Sequence, residues 1–555
     1  GRRPGAGSGA SQFQQLRRFG AIDVDNARLR FNDAVRGFHF DLPRIDARLR
    51  HRNGRLHVGM LLHGEKGARL RLAGEVSEGD KAGAFYLEGL AQDWAAWAQA
   101  ASLHGISIEH ARGDVRAWLD VDDGVLSQVQ VEADLSALAL RRAEDDVAAG
   151  DDAGEQRVRF ATWQLDARLS REGADGWRVT LPRWRVMPEA AKEAVDIVRQ
   201  GHATRDGIGL LRVQADAIAL GPLLDLARLA PQTSTGLRTW LAAAEVQGEL
   251  HDLRLLWAGP AHHRFEAQVS DIGWLPQSRI PALRGISGTL DGDARAVRLQ
   301  IASGLWDMRA PDMLREPFAP QVNGEILLLR DRDGLRIDTP GLRLHEDSYD
   351  ILLGGGVQFL HEEGTLLDLR ADVAEAPIVV AKRFWPINVM PSKAVEWLDD
   401  ALVDGRVAHG AALVRGNVRD WPFRQGEGRF EALAELADAK LRYRNDWPLG
   451  HKVEGTARFI NTAMELDLKG EVAGVAIEFR RCGVAAGRPR RWYRLGLAGR
   501  AATKPAARNL RSVHAQPDTG WARQRGAGIA HPAGAASGRA TRGWSRRHRA
   551  HGHAR

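Results

Sequence analysis

Several things are scarce in this chain, and each scarcity excludes something. One cysteine, Cys482, stands among 555 residues. An intrachain disulfide is therefore excluded. An oxidising compartment is not, because a large chain can be stable without bridges. No run of about 20 apolar residues occurs, so these residues contain no membrane-spanning helix. No secretory leader is legible, and the chain opens on Gly1 rather than Met. The Gly/Arg/Ser-rich start reads as a linker or artefact, and residues 1–15 are set apart on that basis.

Catalytic patterns are equally scarce. There is no Gly-x-Ser-x-Gly elbow, and Cys482 has no partner pattern for nucleophilic chemistry. Gly354-Gly355-Gly356 lacks a following Lys-Ser/Thr, so it reads as a bulge or bend in a sheet and not as a phosphate loop. His262-His263 lies beside a strand with no further ligands grouped near it, and reads as a surface pair. His551 and His553 fall in an anomalous tail. The acidic stretch 141–155 (Glu144, Asp145, Asp146, Asp151, Asp152, Glu155) lacks the ordered spacing of a Ca²⁺ loop and reads as an insertion between strands. The expectation is a non-enzyme with no cofactor and no metal.

What is abundant is alternation. Leu56, Val58, Met60 and Leu62 alternate with polar or small residues, as do Val115, Ala117, Leu119 and Val121. The same holds for Val129, Val131, Ala133 and Leu135; Val297, Leu299 and Ile301; Leu335 and Ile337. It continues through Leu367, Leu369, Ala371 and Val373; Met464, Leu466 and Leu468; Val475, Ile477 and Phe479. Successive side chains of a strand point to opposite faces, so each segment has one apolar and one wet face. Asn53-Gly54, Asp123-Gly124, Asp291-Gly292 and Asp333-Gly334 are expected hairpin turns. The fold class is mainly β, a long antiparallel curved sheet with a single apolar face and a few short helices.

Three stretches are expected to be helical: 188–200; 223–244, as one or two helices; and 392–402, with Ser392 as cap and Gly405 ending the element. Two of them look like copies of one unit. Trp240-Leu241 is followed by Gly248 and Leu250, and Trp397-Leu398 by Gly405 and Val407, each after a proline (Pro231, Pro391). The copies lie 157 residues apart, which suggests a modular body: 16–220, then a repeated helix-plus-sheet segment 221–480. The 17 tryptophans, against four tyrosines, suit the ends of a core or a membrane-interface belt.

The net charge of +7 hides an uneven distribution. Residues 481–555 hold 17 Lys and Arg against Asp518 alone, so the body carries a net −9. No nucleic-acid partner is expected of that body. Alternation stops after Phe479. The tail 481–555 reads as a disordered basic arm, as a solvated tail without a role, or as out-of-frame translation of a GC-rich gene. The break in mid-strand favours the last.

A resemblance enters at Phe384-Trp385-Pro386, Trp397-Leu398, Gly405, Arg415-Gly416, Trp421-Pro422-Phe423, Gly428-Arg429-Phe430, Leu441-Arg442-Tyr443 and Asp446-Trp447-Pro448. In this order these elements resemble the YhdP branch of the AsmA-like family. Leu16 to Ile22 followed by Ala27 to Phe31 looks like that family's early strand pair, and the likeness spans about 16–480. The family's N-terminal membrane helix has no counterpart here. The resemblance implies a periplasmic protein anchored in the inner membrane by a helix absent from these residues. It also implies phospholipid or another acyl-chain lipid as cargo, moved along an apolar β-groove, with no catalytic residues; protein partners are not implied. Groove-lining candidates are Leu56, Val58, Met60, Leu62, Leu299, Ile301, Ile337, Leu369, Leu466 and Leu468. The rival readings are a non-transporting periplasmic scaffold with its apolar face fully covered, an outer-membrane barrel, and a tail-driven nucleic-acid binder.

Overall fold

The computed structural model describes residues 20–33, 38–64, 68–77, 81–94, 97, 106–142, 157–173, 175–277, 280–331, 334–360, 364–480 and 494–497. Every strand in it joins one 27-stranded sheet, and every pairing is antiparallel. Strands pair with their neighbours in sequence. The exceptions are the short strands Asp307–Arg309 and Ala376–Pro377, which the long ones bypass. Among the described residues, the first strand, Ala21–Asp33, pairs only with Phe38–Arg52, and the last, Arg494–Leu497, only with Val475–Arg480. The sheet therefore does not close into a barrel. All of this lies in one compact unit, Gly1–Gly499. A sheet of alternating segments joined by tight turns is what period-two sequence demands.

Bulges interrupt the ladder at several points. Asn26, Ala91, Asp252, Asp271, Asp438 and Lys452 all have positive φ, and each sits at a shift in register. One extra residue on one strand bends it and sharpens the local twist.

Three helices interrupt the meander: α1 (Leu220–Ala227), α2 (Thr235–Ala244) and α3 (Ser392–Ala401). A 3-10 turn, Ile378–Phe384, precedes α3. These segments lie over one end of the strands and bury it. Leu223, Leu226 and Leu229 pack with Phe160, Val186, Val198 and Ile218. Val380 and Phe384 pack with Val322, Leu342 and Tyr349. Ile378 packs with Leu436, Ala439 and Val453. Near the other end of the chain, Trp94 and Trp97 cover Ile45, Leu62 and Leu70.

The two Trp…Gly units share a geometry. Each helix runs into a strand whose Gly (Gly248 at φ +114, Gly405 at φ +112) meets a bulged Asp of the next strand, Asp271 or Asp438. A Cβ on Gly405 would lie 2.4 Å from Ala439 Cα, so only glycine fits.

Several expectations need correction. Residues 188–200 are not helical: they close the strand Gly176–Pro188, turn, and enter Val195–Arg205. Ile197 and Val198 are buried there, and β-branched side chains favour that setting. Ser392 does not cap α3; it is the helix's first residue, behind Pro391. Ser234 does cap α2, its Oγ accepting the Leu237 N–H at 3.4 Å. Gly405 does not end α3 but lies inside the strand Leu402–Asn417. Asp291-Gly292 is not the turn, because both belong to the strand Ala282–Asp293. The turn comes one step later, where Asp293 accepts N–H groups from Arg295 (2.8 Å) and Ala296 (3.1 Å). The bulge expected at Gly354-Gly355-Gly356 lies on the opposing strand, between Thr339 and Leu342. Within the basic tail, Arg494–Leu497 forms a strand. The acidic stretch 143–155, Asp333, Cys482, His551 and His553 lie outside the described residues.

Candidate functional site

All ten groove-lining candidates fall on one face of the sheet. Following direct cross-strand partners, a single row runs Ile22–Leu49–Val58–Gly74–Phe85–Leu119–Val129–Leu169–Val179–Ala203. It continues Val213–Leu255–Phe265–Gly292–Val297–Leu328–Ile337–Val357–Leu367–Gly416. Directly paired residues share a face. This lane thus crosses twenty consecutive long strands without one polar side chain. At about 4.8 Å per strand its contour is roughly 90 Å. None of its members is buried.

The candidates divide between this lane and the covered rows beside it. Val58 and Ile337 lie in the lane, and Ile337 is 36 % exposed. Met60 and Leu369 lie on adjoining rows, whereas Leu466 and Leu468 lie on a strand beyond the lane's last one, on rows that reach the lane's last strand at Gly410 and Val407; all four stay half-buried. Leu56, Leu62, Leu299 and Ile301 are buried, Ile301 to 1 %, and line the core.

The opposite face carries charges tied across or along the strands. Arg50 reaches Asp23 at 2.8 Å, Arg71 reaches Glu88 at 3.1 Å, Arg183 reaches Asp166 at 3.2 Å and Arg298 reaches Asp291 at 2.9 Å. Asp46 is held well below the usual carboxylate range, first by the Asn26 N–H and then by Arg44 and His63. These exposed pairs keep that face wet and add little to stability.

At the covered end one polar tie fastens the 3-10 turn to the sheet. Glu346 accepts from Arg383 (2.8 Å) and from the Tyr349 hydroxyl (2.7 Å). Burial pushes the Glu346 carboxyl up, but Arg383 and Tyr349 outweigh it and hold it low. Burial and then Glu346 push the Tyr349 phenol up. Phe384 meets the Tyr349 ring edge-on at 5.2 Å. Sequence reasoning missed this tie, although Arg383 stands beside the motif residue Phe384.

The motif residues build supports. Trp397 donates its indole N–H to the Tyr443 carbonyl at 3.0 Å and meets that ring, which Trp447 also meets at 5.5 Å. Pro448 follows in the connection to the strand Gly450–Ile460. Trp421 packs on Phe423 and Phe430 at 5.5 and 5.3 Å. Phe423, after Pro422, is buried to 1 % and lies against Gly416 and Gly428. Trp385 and Pro386 follow the 3-10 turn, and the Pro386 carbonyl accepts from Val389 at 3.0 Å. His263 stacks on Trp257 with ring centres 4.9 Å apart. Among the described residues no group of three or more His, Cys, Asp or Glu side chains is placed to hold a metal. No helix among them is long and apolar enough to cross a membrane.

An open antiparallel meander with one ion-paired face and one continuous, half-buried apolar lane is the class of protein these residues define. The chain belongs to the YhdP family, whose model matches residues 4–479. That match ends at Phe479, where alternation stops. Among curated proteins it is similar to the "Intermembrane phospholipid transporter YhdP" of Escherichia coli (strain K12), 23 % identical over 409 residues. The alignment covers 69 % of this chain and 31 % of that protein, so the chain spans about a third of its relative's length. No solved structure matches the chain.

Proposed function

We propose that this chain carries phospholipid between the inner and outer membranes, its acyl chains lying along the apolar lane while the head group stays in water. The observation that carries this reading is the unbroken, unburied row from Ile22 to Gly416. Exposing hydrocarbon to water costs about 0.8 kcal/mol per CH₂, so freeing a two-chain lipid costs on the order of 20 kcal/mol. A row of apolar side chains replaces lipid neighbours at every step and lowers that cost throughout. Half of a bilayer core, about 15 Å, is the depth one acyl chain occupies. The lane is roughly six times longer, as a conduit requires and a single binding pocket does not. The similarity to an intermembrane phospholipid transporter supports the cargo. A periplasmic setting with attachment to the inner membrane belongs to the same proposal.

Photo-crosslinking residues placed at Phe265, Leu328 or Ile337 in cells, and at Asp291 or Arg298 on the opposite face, provide the test. Phospholipid adducts recovered by mass spectrometry from the lane positions alone are expected. Adducts from both faces equally, or from neither in a folded protein, would leave a non-transporting scaffold as the reading.

A further inference from the structure

Two residues nearer the hairpin tips than the lane, on the same face, runs a rim whose chemistry changes along the sheet. From Arg171 the direct partners are Trp177, Arg205, Leu211, Trp257 and His263, on six consecutive strands. Beyond the next hairpin the rim resumes at Arg330, which donates its backbone N–H to the Arg295 carbonyl at 2.8 Å. It then becomes apolar at Leu335 and Phe359, 40 % and 45 % exposed. On the other flank it is apolar at Leu56, Val76 and Val121, and His51 stands opposite Leu56. Among the described residues the part of this rim that carries both arginine and indole thus lies in the middle of the sheet.

Two of the rim arginines, Arg205 and Arg330, differ from those behind them. Arg205 and Arg330 are exposed, and their direct neighbours are Trp177 and Leu211 for the first, Leu335 and the Arg295 backbone for the second. Among the described residues, no carboxylate is the direct cross-strand partner of either. On the reverse face, Arg178 is held by Glu172, Arg212 by Asp206 and Arg298 by Asp291. Arg254 and Arg264 there stand directly opposite Glu266 and Asp293. An arginine kept free of carboxylates beside an apolar lane is a donor fork awaiting an oxyanion. Tryptophan is the side chain suited to a boundary between hydrocarbon and water.

We infer that this stretch of rim holds two head-group stations, Arg205 between Trp177 and Trp257 and Arg330 six strands further on, each taking the phosphodiester of a phospholipid whose acyl chains lie in the lane. The inference rests on the lipid-carrying reading above. The ligand chemistry is the phosphodiester shared by zwitterionic and anionic phospholipids, so the stations recognise the class and not one head group. An exposed charge contact of this kind is screened by salt.

The test uses the full chain with two fluorescent probes of equal acyl length, a phosphatidylglycerol and a diacylglycerol that lacks the phosphate. The variant is Arg205→Gln with Arg330→Gln. Binding of the phosphatidylglycerol is expected to weaken about tenfold, binding of the diacylglycerol to stay unchanged, and the gap to narrow at high salt. Equal weakening for both probes, or no weakening for either, overturns the stations while leaving the lane intact. Displacement of the phosphatidylglycerol by millimolar inorganic phosphate overturns them also, by making the sites ones for a free anion. Failure of the unaltered protein to bind either probe sinks the carrier reading itself, and the stations with it.

Discussion

Ile301 and Ile337 belong to strands of the same sheet and point from the same face, yet one is 1 % exposed and the other 36 %. Nothing in their own segments distinguishes them, since both stand in clean alternation. The difference lies in what the connecting segments do. Ile301 sits at the end over which Trp306, Phe384 and the 3-10 turn pack. Ile337 sits toward the hairpin tip, outside that cluster. Cover on this fold is therefore supplied by the few non-strand elements, and alternation sets the face alone.

The comparison can be broken most severely at the covered end. Ile301→Asp would bury an unpaired charge and is expected to lower stability by about 4 kcal/mol, read as a fall in the urea midpoint. A smaller loss would mean that the helical cover opens easily. Gly405→Ala should lose about 2 kcal/mol in the same assay, because its φ and its contact with Ala439 admit no Cβ. Gly54→Ala, at a turn with open space around it, should lose less. Glu346→Gln should lose about 2 kcal/mol at neutral pH by loosening the 3-10 turn. The folded Glu346 carboxyl titrates below its unfolded value of about 4.3. Its contribution is thus whole above that pH and disappears as pH falls through the folded value, so the wild type and Glu346→Gln should converge in acid melts. Ile337→Asp should barely move the urea midpoint, since its side chain already meets water, yet should abolish lipid adducts at Leu328. Large destabilisation by this change would show that the lane is covered after all. Smallest of all, Arg298→Ala on the ion-paired face should shift neither the midpoint nor lipid capture.

Most of the architecture was legible because period-two alternation is a direct imprint of pleat geometry. The strands around Val58, Leu119, Val131, Leu299, Ile337, Leu369 and Leu466 all form where alternation places them. The misreading at 188–200 came from local composition, where Ala190, Ala191 and Ala194 favour helix but the sheet claims Ile197 and Val198. The displaced turn at 291–295 came from two aspartates within three residues, of which Asp293 caps the turn. At the candidate site, the shared face of the ten residues was readable from parity alone. Which of them remain open was not, because register between strands depends on bulges such as Asp271 and Asp438 that leave no pattern in a single sequence. The rim was hidden for the same reason: Trp177, Arg205 and Trp257 are far apart in sequence and become neighbours only through hairpin register.

The neighbour-to-neighbour pairing has a further consequence for how such a chain comes into being. No long strand waits for a partner made hundreds of residues later, so each hairpin can dock onto the edge left by the one before. Closing such short loops costs little entropy. A polypeptide delivered N-terminus first can zip up behind its point of entry, adding no edge beyond the fixed one at its first strand and the advancing one. Its exposure to misassembly then stays constant however long the finished molecule grows.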